Sequence, residues 1–334
     1  MNYKFDFKDI AVNGKLPQAL AEFLDYLSTI KGKSNNTIRA YRIDLSVFFR
    51  FLKIYKGKTH GEKVFEDIDI SDIDDDFIRS IKLTDLYAYI SFAQKYRNNG
   101  SYARARKVAS VKSFFKFLTG KAKILKENPA LELESPKIEK RNPIFLNLDE
   151  SKKLLRSVDP TDHNFERDYC ILTLFLNCGM RISELCGINI SNIKDDTLTI
   201  IGKGDKERTV YLNRACIRSV ENYMLVRGKK YAPISPTDKD ALFISEKKCR
   251  INKRSVERMV KKYVQAAGLD QDKYTPHKLR HTAATLMYKH GKVDIRSLQE
   301  ILGHESVSTT QIYTHVDDDE LRKAVNSNPL NDIE

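Results

Sequence analysis

Apolar side chains recur at steps of three and four residues through four segments of the first 140 residues. They are PQALAEFLDYLSTIKG, SNNTIRAYRIDLSVFFRFLKIY, LTDLYAYISFAQKYRN and SYARARKVASVKSFFKFLTG, and each predicts an amphipathic helix. In the second segment Ile38, Tyr41, Leu45, Phe48, Phe49 and Leu52 share one face, which must be core, and Arg39, Arg42 and Lys53 fall largely on the other side. In the fourth, Val108, Val111, Phe114, Phe115 and Leu118 form the apolar stripe. That leaves Arg104, Lys107, Lys112 and Lys116 for solvent or a ligand. Between these helices EKVFEDIDISDIDDD is acidic and would repel a polyanion, so it is expected away from any such surface.

The helical period then stops. KENPALELESPKIEKRNPIF carries prolines at 129, 136 and 143 and reads as an extended linker over about 127–144, with a domain boundary near residue 140. Beyond it, LNLDESKKLLRSV has a capping pattern before a short helix, and FERDYCILTLFLNCG is apolar enough for a buried helix ending at Gly179. TLTIIGKGDKERTVYLN places β-branched residues on both sides of a Gly-Lys-Gly-Asp turn and predicts a hairpin. RSVERMVKKYVQAAG, PHKLRHTAATLMYKHG and VDIRSLQEILG return to helix. The expected architecture is mainly α: an all-helical domain over 1–140, then a mainly helical domain over 145–334 with a small antiparallel β-sheet.

With 334 residues, two domains can each bury a core. The charge balance narrows the partner: 58 basic against 45 acidic side chains give +13, and both halves share the excess, as suits a nucleic acid or an anionic surface. A membrane role is disfavoured because the basic residues are scattered instead of gathered on one amphipathic helix. No apolar run of about 18 residues occurs, and the opening MNYKFDFKDI alternates charge, so a cytoplasmic protein is expected. Cys170, Cys178, Cys186, Cys216 and Cys249 contain no C-x-x-C pair and read as free thiols.

One ordered series of polar residues in the second half changes the picture. Arg181 lies in GMRISEL, Lys203 in GKGDKER, His277 and Arg280 in HKLRHTAAT, and His304 and Tyr313 in LGHESVSTTQIYTHV. These strings closely resemble the catalytic domain of the tyrosine recombinases, the phage integrase family, and its bacterial Xer-like branch in particular. The resemblance runs through nearly all of 145–316. It extends more loosely to NNTIRAYRIDLSVFFRFL and ARKVASVKSFFKFL, which look like helices of the family's N-terminal core-binding, SAM-like domain.

The resemblance implies a site-specific recombinase that cuts and rejoins DNA through a 3′-phosphotyrosine on Tyr313 and a Holliday junction, without cofactor or metal. Arg181 and Arg280 fall on the family's two clamp arginines, and guanidinium forks suit phosphate oxygens because they stay charged and present paired donors. A tyrosine with a pKa of about 10 needs a positive field or a base, which the clamp supplies. His277 and His304 bond phosphate or move protons, and the sequence leaves open which does which. The 5′ oxygen departs well only if protonated, and Lys203 is the candidate acid, with Lys206 its rival. Glu184, one helical turn after Arg181, can orient that arginine. DNA contacts are expected from Arg39, Arg42, Arg104, Lys107, Lys112, Lys253 and Arg254.

The implied partners are double-stranded DNA at a specific site and a homo- or hetero-tetramer spanning two sites, with no membrane. The tail 317–334 would dock either on its own catalytic domain or, as the resemblance favours, on a neighbouring subunit. The task could be chromosome dimer resolution, linked to partition and cell division in a nucleoid-associated protein, or integration and excision of a mobile element. A type IB topoisomerase and a catalytically idle DNA-binding regulator are the competing readings. GKGDKERT lacks the spacing of a P-loop, and His277 with His281 lacks a third ligand for zinc.

Overall fold

The computed structural model describes residues 16–59, 64–138, 143–202, 207–291, 293–303 and 310. Contacts divide the chain into two compact units, Met1–Lys140 and Arg141–Glu334.

The described part of the first unit is helical. Its elements are α1 (Gln18–Asp25), continued by a π turn over Tyr26–Ile30, then α2 (Asn35–Tyr55), α3 (Asp75–Arg79), α4 (Leu83–Lys95) and α5 (Ser101–Gly120). Ser34 starts α2 because its hydroxyl accepts the otherwise unpaired N–H of Thr37. The apolar stripes of α2 and α5 then meet: Leu45, Phe48, Phe49 and Leu52 are buried together with Val111, Phe114, Phe115 and Leu118. Edge-on ring pairs such as Phe49 with Phe114, 5.7 Å between centroids, set how these helices interlock. Ala130 and Leu133 belong to the same core, so the segment expected as linker packs on this unit at least as far as Leu133.

Two lysines depart from the expected solvent-facing side. Lys107 is buried, its amine 2.8 Å from the buried carboxylate of Asp44, which also accepts Ser110 and pairs with Arg106 at 2.7 Å. Lys53 is likewise buried and donates to Asp72 and to the carbonyl of Asp69. A helical wheel places a residue on a face, but it does not reveal that a neighbouring helix or loop brings a carboxylate to that face. Lys107 is therefore corrected from candidate DNA contact to structural ion pair.

In the second unit α6 (Leu148–Arg156) is followed by α7 (Phe165–Cys178), buried on almost every side, as its continuous apolar run foretold. α8 (Ile182–Gly187) leads to the antiparallel sheet β1 (Ile193–Lys194), β2 (Thr197–Ile201) and β3 (Glu207–Tyr211), in which Leu198 pairs with Val210 and Ile200 with Arg208. The predicted hairpin thus gains a short third strand. α9 (Arg214–Lys230), α10 (Lys253–Ala266), α11 (Pro276–Gly291) and α12 (Ile295–Leu302) complete the unit, with α9 and α11 packed on α7. The sequence pattern had not singled out α9, whose buried face mixes Cys216, Ser219, Val220 and Tyr223 with Arg227. Arg227 can be buried there because it donates to the carbonyls of Lys239, Ala241 and Leu242.

Asp44→Ala should destabilise the first unit by about 3–5 kcal/mol, since it strands the buried Lys107 ammonium. Denaturant unfolding of the full chain, with hydrogen exchange locating the loss in α2 and α5, measures this; an unchanged midpoint would contradict it.

Candidate active site

Three segments of chain converge on one buried carboxylate, that of Glu184. α7 ends at Gly179, whose φ of 59° is left-handed, and this reversal sends Met180 inward and puts Arg181 at the N-cap of α8. A Cβ at 179 would also stand 2.8 Å from the end of the buried Leu302 side chain, which would have to shift, so glycine suits both the backbone and the packing. Glu184, in the first turn of α8, reaches back: its Oε2 accepts the Arg181 backbone N–H at 2.7 Å and its Oε1 accepts Arg181 Nη1 at 2.7 Å. Glu184 thus caps the Arg181 backbone N–H as the acid of a capping box does, while Arg181, which can only donate, holds the N-cap position without a side-chain cap of its own.

Arg208 of β3 grips the same carboxylate with both ends of its fork, Nη1 to Oε1 at 2.7 Å and Nη2 to Oε2 at 3.0 Å. Arg280 of α11 lies slightly farther, with Nη1 3.9 Å from Oε2. Burial alone would raise the pKa of Glu184, yet the hydrogen bonds and charges of Arg208 and Arg181 outweigh it and hold the carboxyl below its ordinary value. Glu184 is therefore ionised, and three guanidiniums surround one negative charge.

Both clamp arginines also fasten the end of α12. Arg280 donates Nη2 to the Leu302 carbonyl at 2.7 Å and Nη1 to the Gly179 carbonyl at 2.8 Å, while Arg181 donates Nη2 to the Gly303 carbonyl at 3.0 Å. These carbonyls are the unpaired, partly negative end of a helix, so cations suit them. Gly303 ends α12 in a left-handed turn, and the next residue in the chain is His304. The clamp thus holds the chain at the point where it leads on to His304 and Tyr313.

His277 stands in the first turn of α11, one turn before His281, with their Nε2 atoms 3.0 Å apart. One nitrogen must donate and the other accept, so both rings cannot carry a proton on those facing atoms. Loss of hydration, then the charges of Lys278, Arg280 and Arg181, hold the His277 pKa below the usual histidine value.

The structure brings Arg181, Glu184, Arg280 and His277 into this region; Lys203, Lys206, His304 and Tyr313 lie outside the described residues. Of the expected DNA contacts, Lys253 and Arg254 are exposed on the first turn of α10, and Arg39 is exposed on α2. Arg42 is half-buried. Arg104 is bonded to Gln94, and the Lys112 amine is committed to the carbonyls of Leu131 and Leu133. Sequence reasoning missed Arg208. The available signal was its place in the strand: it alternates with exposed residues and shares a face with buried Val210. Among the described residues, no three His, Cys, Asp or Glu side chains gather as metal ligands.

Comparison with known proteins gives the class of this fold, in which a small sheet and a helical core bring several arginines to one carboxylate. Residues 145–320 match the Phage integrase family and residues 20–121 match the Phage integrase N-terminal SAM-like domain. The chain belongs to the phage integrase family and is a tyrosine recombinase, an enzyme of the kind that cleaves and rejoins DNA. It is 57% identical to Tyrosine recombinase XerC of Caldanaerobacter subterraneus over 95% of this chain and 88% of that protein. It is 36% identical to Tyrosine recombinase XerC of Thermodesulfovibrio yellowstonii, covering 89% and 91%. In fold it resembles the XerH site-specific recombinase bound to a palindromic difH substrate, at 21% identity and TM-score 0.67, with coverage of 92% and 84%. It also resembles a lambda integrase tetramer bound to a Holliday junction, at 16% identity and TM-score 0.61, with coverage of 93% and 81%.

The low His277 pKa has a signed consequence. The unfolded chain binds this proton more readily than the folded one, so the stability contribution is fully present above about pH 6.5. It is lost as pH falls through the lowered folded-state pKa. Imidazole NMR titration of the DNA-free protein should give His277 a midpoint below about 6.5; a midpoint at or above that value would contradict its burial beside these cations.

Proposed function

We propose that the guanidinium cluster around Glu184 is the phosphate-binding half of a strand-transfer site, and that Tyr313 supplies the nucleophile. The observation that carries this reading is that Arg181 and Arg280 meet at one ionised carboxylate while also bonding the chain end that continues to His304 and Tyr313. A phosphodiester under attack gathers charge on its non-bridging oxygens, and prearranged guanidiniums stabilise that charge without reorganising.

In the proposed reaction the Tyr313 phenolic oxygen bonds to the scissile phosphorus while the bond from phosphorus to the 5′ oxygen breaks. Lys203 gives a proton to that oxygen, so a 5′ hydroxyl leaves and a 3′-phosphotyrosine remains. His277 and His304 bond the phosphate or move the tyrosine proton. The 5′ hydroxyl of a partner duplex then attacks the phosphotyrosine, restoring one phosphodiester and releasing Tyr313. One ester replaces another at each step, so bond energy is conserved and no external energy source enters.

Exposed Lys253 and Arg254 on α10 and Arg39 on α2 are proposed to bind the duplex, with sequence readout assigned to α10. Four subunits acting on two sites, passing through a Holliday junction, are the proposed assembly, with residues 317–334 docking in trans. The proposed setting is the nucleoid, and the proposed task is chromosome dimer resolution, which the likeness to proteins named XerC supports over mobile-element integration or excision. No described helix is long and apolar enough to cross a membrane.

Tyr313→Phe should bind its DNA site with unchanged affinity and form no covalent adduct, as seen by denaturing electrophoresis after incubation with labelled DNA. Adduct at the wild-type level would move the nucleophile to another tyrosine.

Lys203→Ala should slow cleavage of ordinary DNA by about a hundredfold or more, but should cleave a substrate with sulfur at the bridging 5′ position far closer to the wild-type rate. Sulfur leaves without a proton. Equal slowing on both substrates would take Lys203 out of the acid role.

A further inference from the structure

Arg208 joins its own strand to two separately built parts of the site. It belongs to β3, its fork closes on Glu184 of α8, and its Cδ and Nη1 come within 3.0 Å of where a Cβ on Gly303 would stand, at the end of α12. Its side chain is only 14% exposed, and the carboxylate that it grips is 2% exposed. Both ends of its fork are spent on that carboxylate and are not left open to a ligand.

The carboxylate explains what Arg208 does instead. Glu184 has two oxygens and bonds four donors: two from Arg208, and one each from the Arg181 side chain and the Arg181 backbone N–H. Arg208 occupies both oxygens, so Arg181 gives Glu184 a single side-chain bond and remains 38% exposed. Without Arg208 the ionised carboxylate would be left with Arg181 as its close cation. Electrostatics in so dry a place would then draw the Arg181 fork fully onto Glu184. The formal charge around the carboxylate would also fall, from three guanidiniums against one carboxylate to two.

We infer that Arg208 is a positioning residue of the recombinase site: it neutralises Glu184 so that the Arg181 fork stays available to the scissile phosphate. Because β3 begins four residues after Lys203 in the chain, the same grip ties that strand to the arginine cluster. The inference rests on the reading of Arg181 as a phosphate ligand, and the test separates the two.

The rate constant for covalent adduct formation would be measured in single turnover on saturating DNA for wild type, Arg181→Ala, Arg208→Met, Arg208→Lys, Glu184→Gln and the Arg208→Met/Glu184→Gln double variant. A rate constant of bound protein is independent of any unfolded fraction, which lowers only the amplitude. Arg208→Met should lose about a hundredfold, with half-site affinity changed by less than about threefold because DNA contacts are untouched. Arg208→Lys keeps the charge and should lose less than Arg208→Met. The double variant should recover to within about tenfold of Glu184→Gln alone, since no carboxylate is left to capture Arg181. Wild-type rate in Arg208→Met, or a double variant no faster than Arg208→Met, would overturn the inference while leaving the phosphate role of Arg181 intact. A wild-type rate in Arg181→Ala would overturn that role and the inference together.

Discussion

The buried, ionised carboxylate of Glu184 is the interaction on which the catalytic unit depends. A charge this enclosed is tolerable only with full pairing, and the pairing here comes from α8 itself, from β3 and, at longer range, from α11. Each partner is fixed elsewhere as well. Arg181 stands at the N-cap position of α8 and bonds the Gly303 carbonyl, Arg208 sits in the sheet, and Arg280 holds the Gly179 turn and the end of α12. One anion therefore sets the mutual placement of elements that the chain delivers from positions more than 100 residues apart.

Like-charged arginines would otherwise repel, so bringing Arg181, Arg208 and Arg280 together requires an internal counter-charge, and Glu184 supplies it. The remaining positive excess suits a phosphate whose charge grows during reaction. Strength of the local field and its readiness before DNA arrives come from the same arrangement, since the donors are already held by backbone carbonyls and a carboxylate. Fastening the end of α12 to these arginines also ties the cluster to the chain that continues to His304 and Tyr313.

The basic residues of this chain fall into two groups. Lys253, Arg254 and Arg39 are exposed and fit the polyanion that the net charge implies. Lys53, Lys107, Arg167 and Arg227 are buried and satisfy carboxylates or carbonyls within the fold. Net charge alone cannot divide these groups, because burial and partner geometry decide whether a cation reaches a duplex.

Much of the architecture was legible in the sequence because local rules are strong where side chains repeat regularly. The stripes of α2 and α5, the buried run of α7, the stop at Gly179 and the hairpin all follow from periodicity, capping and β-branching. The ordered motifs from Arg181 to Tyr313 identified the family, since reactive residues must recur in fixed chain context. The pairing of Glu184 with Arg181 was readable from one helical turn of spacing. What only the tertiary structure decided were encounters between distant segments: Lys107 turning to Asp44, α9 burying an arginine among carbonyls, and Arg208 closing on Glu184. None of these leaves a local period, because each depends on which groups another element brings within about 3 Å, and that distance is set by packing.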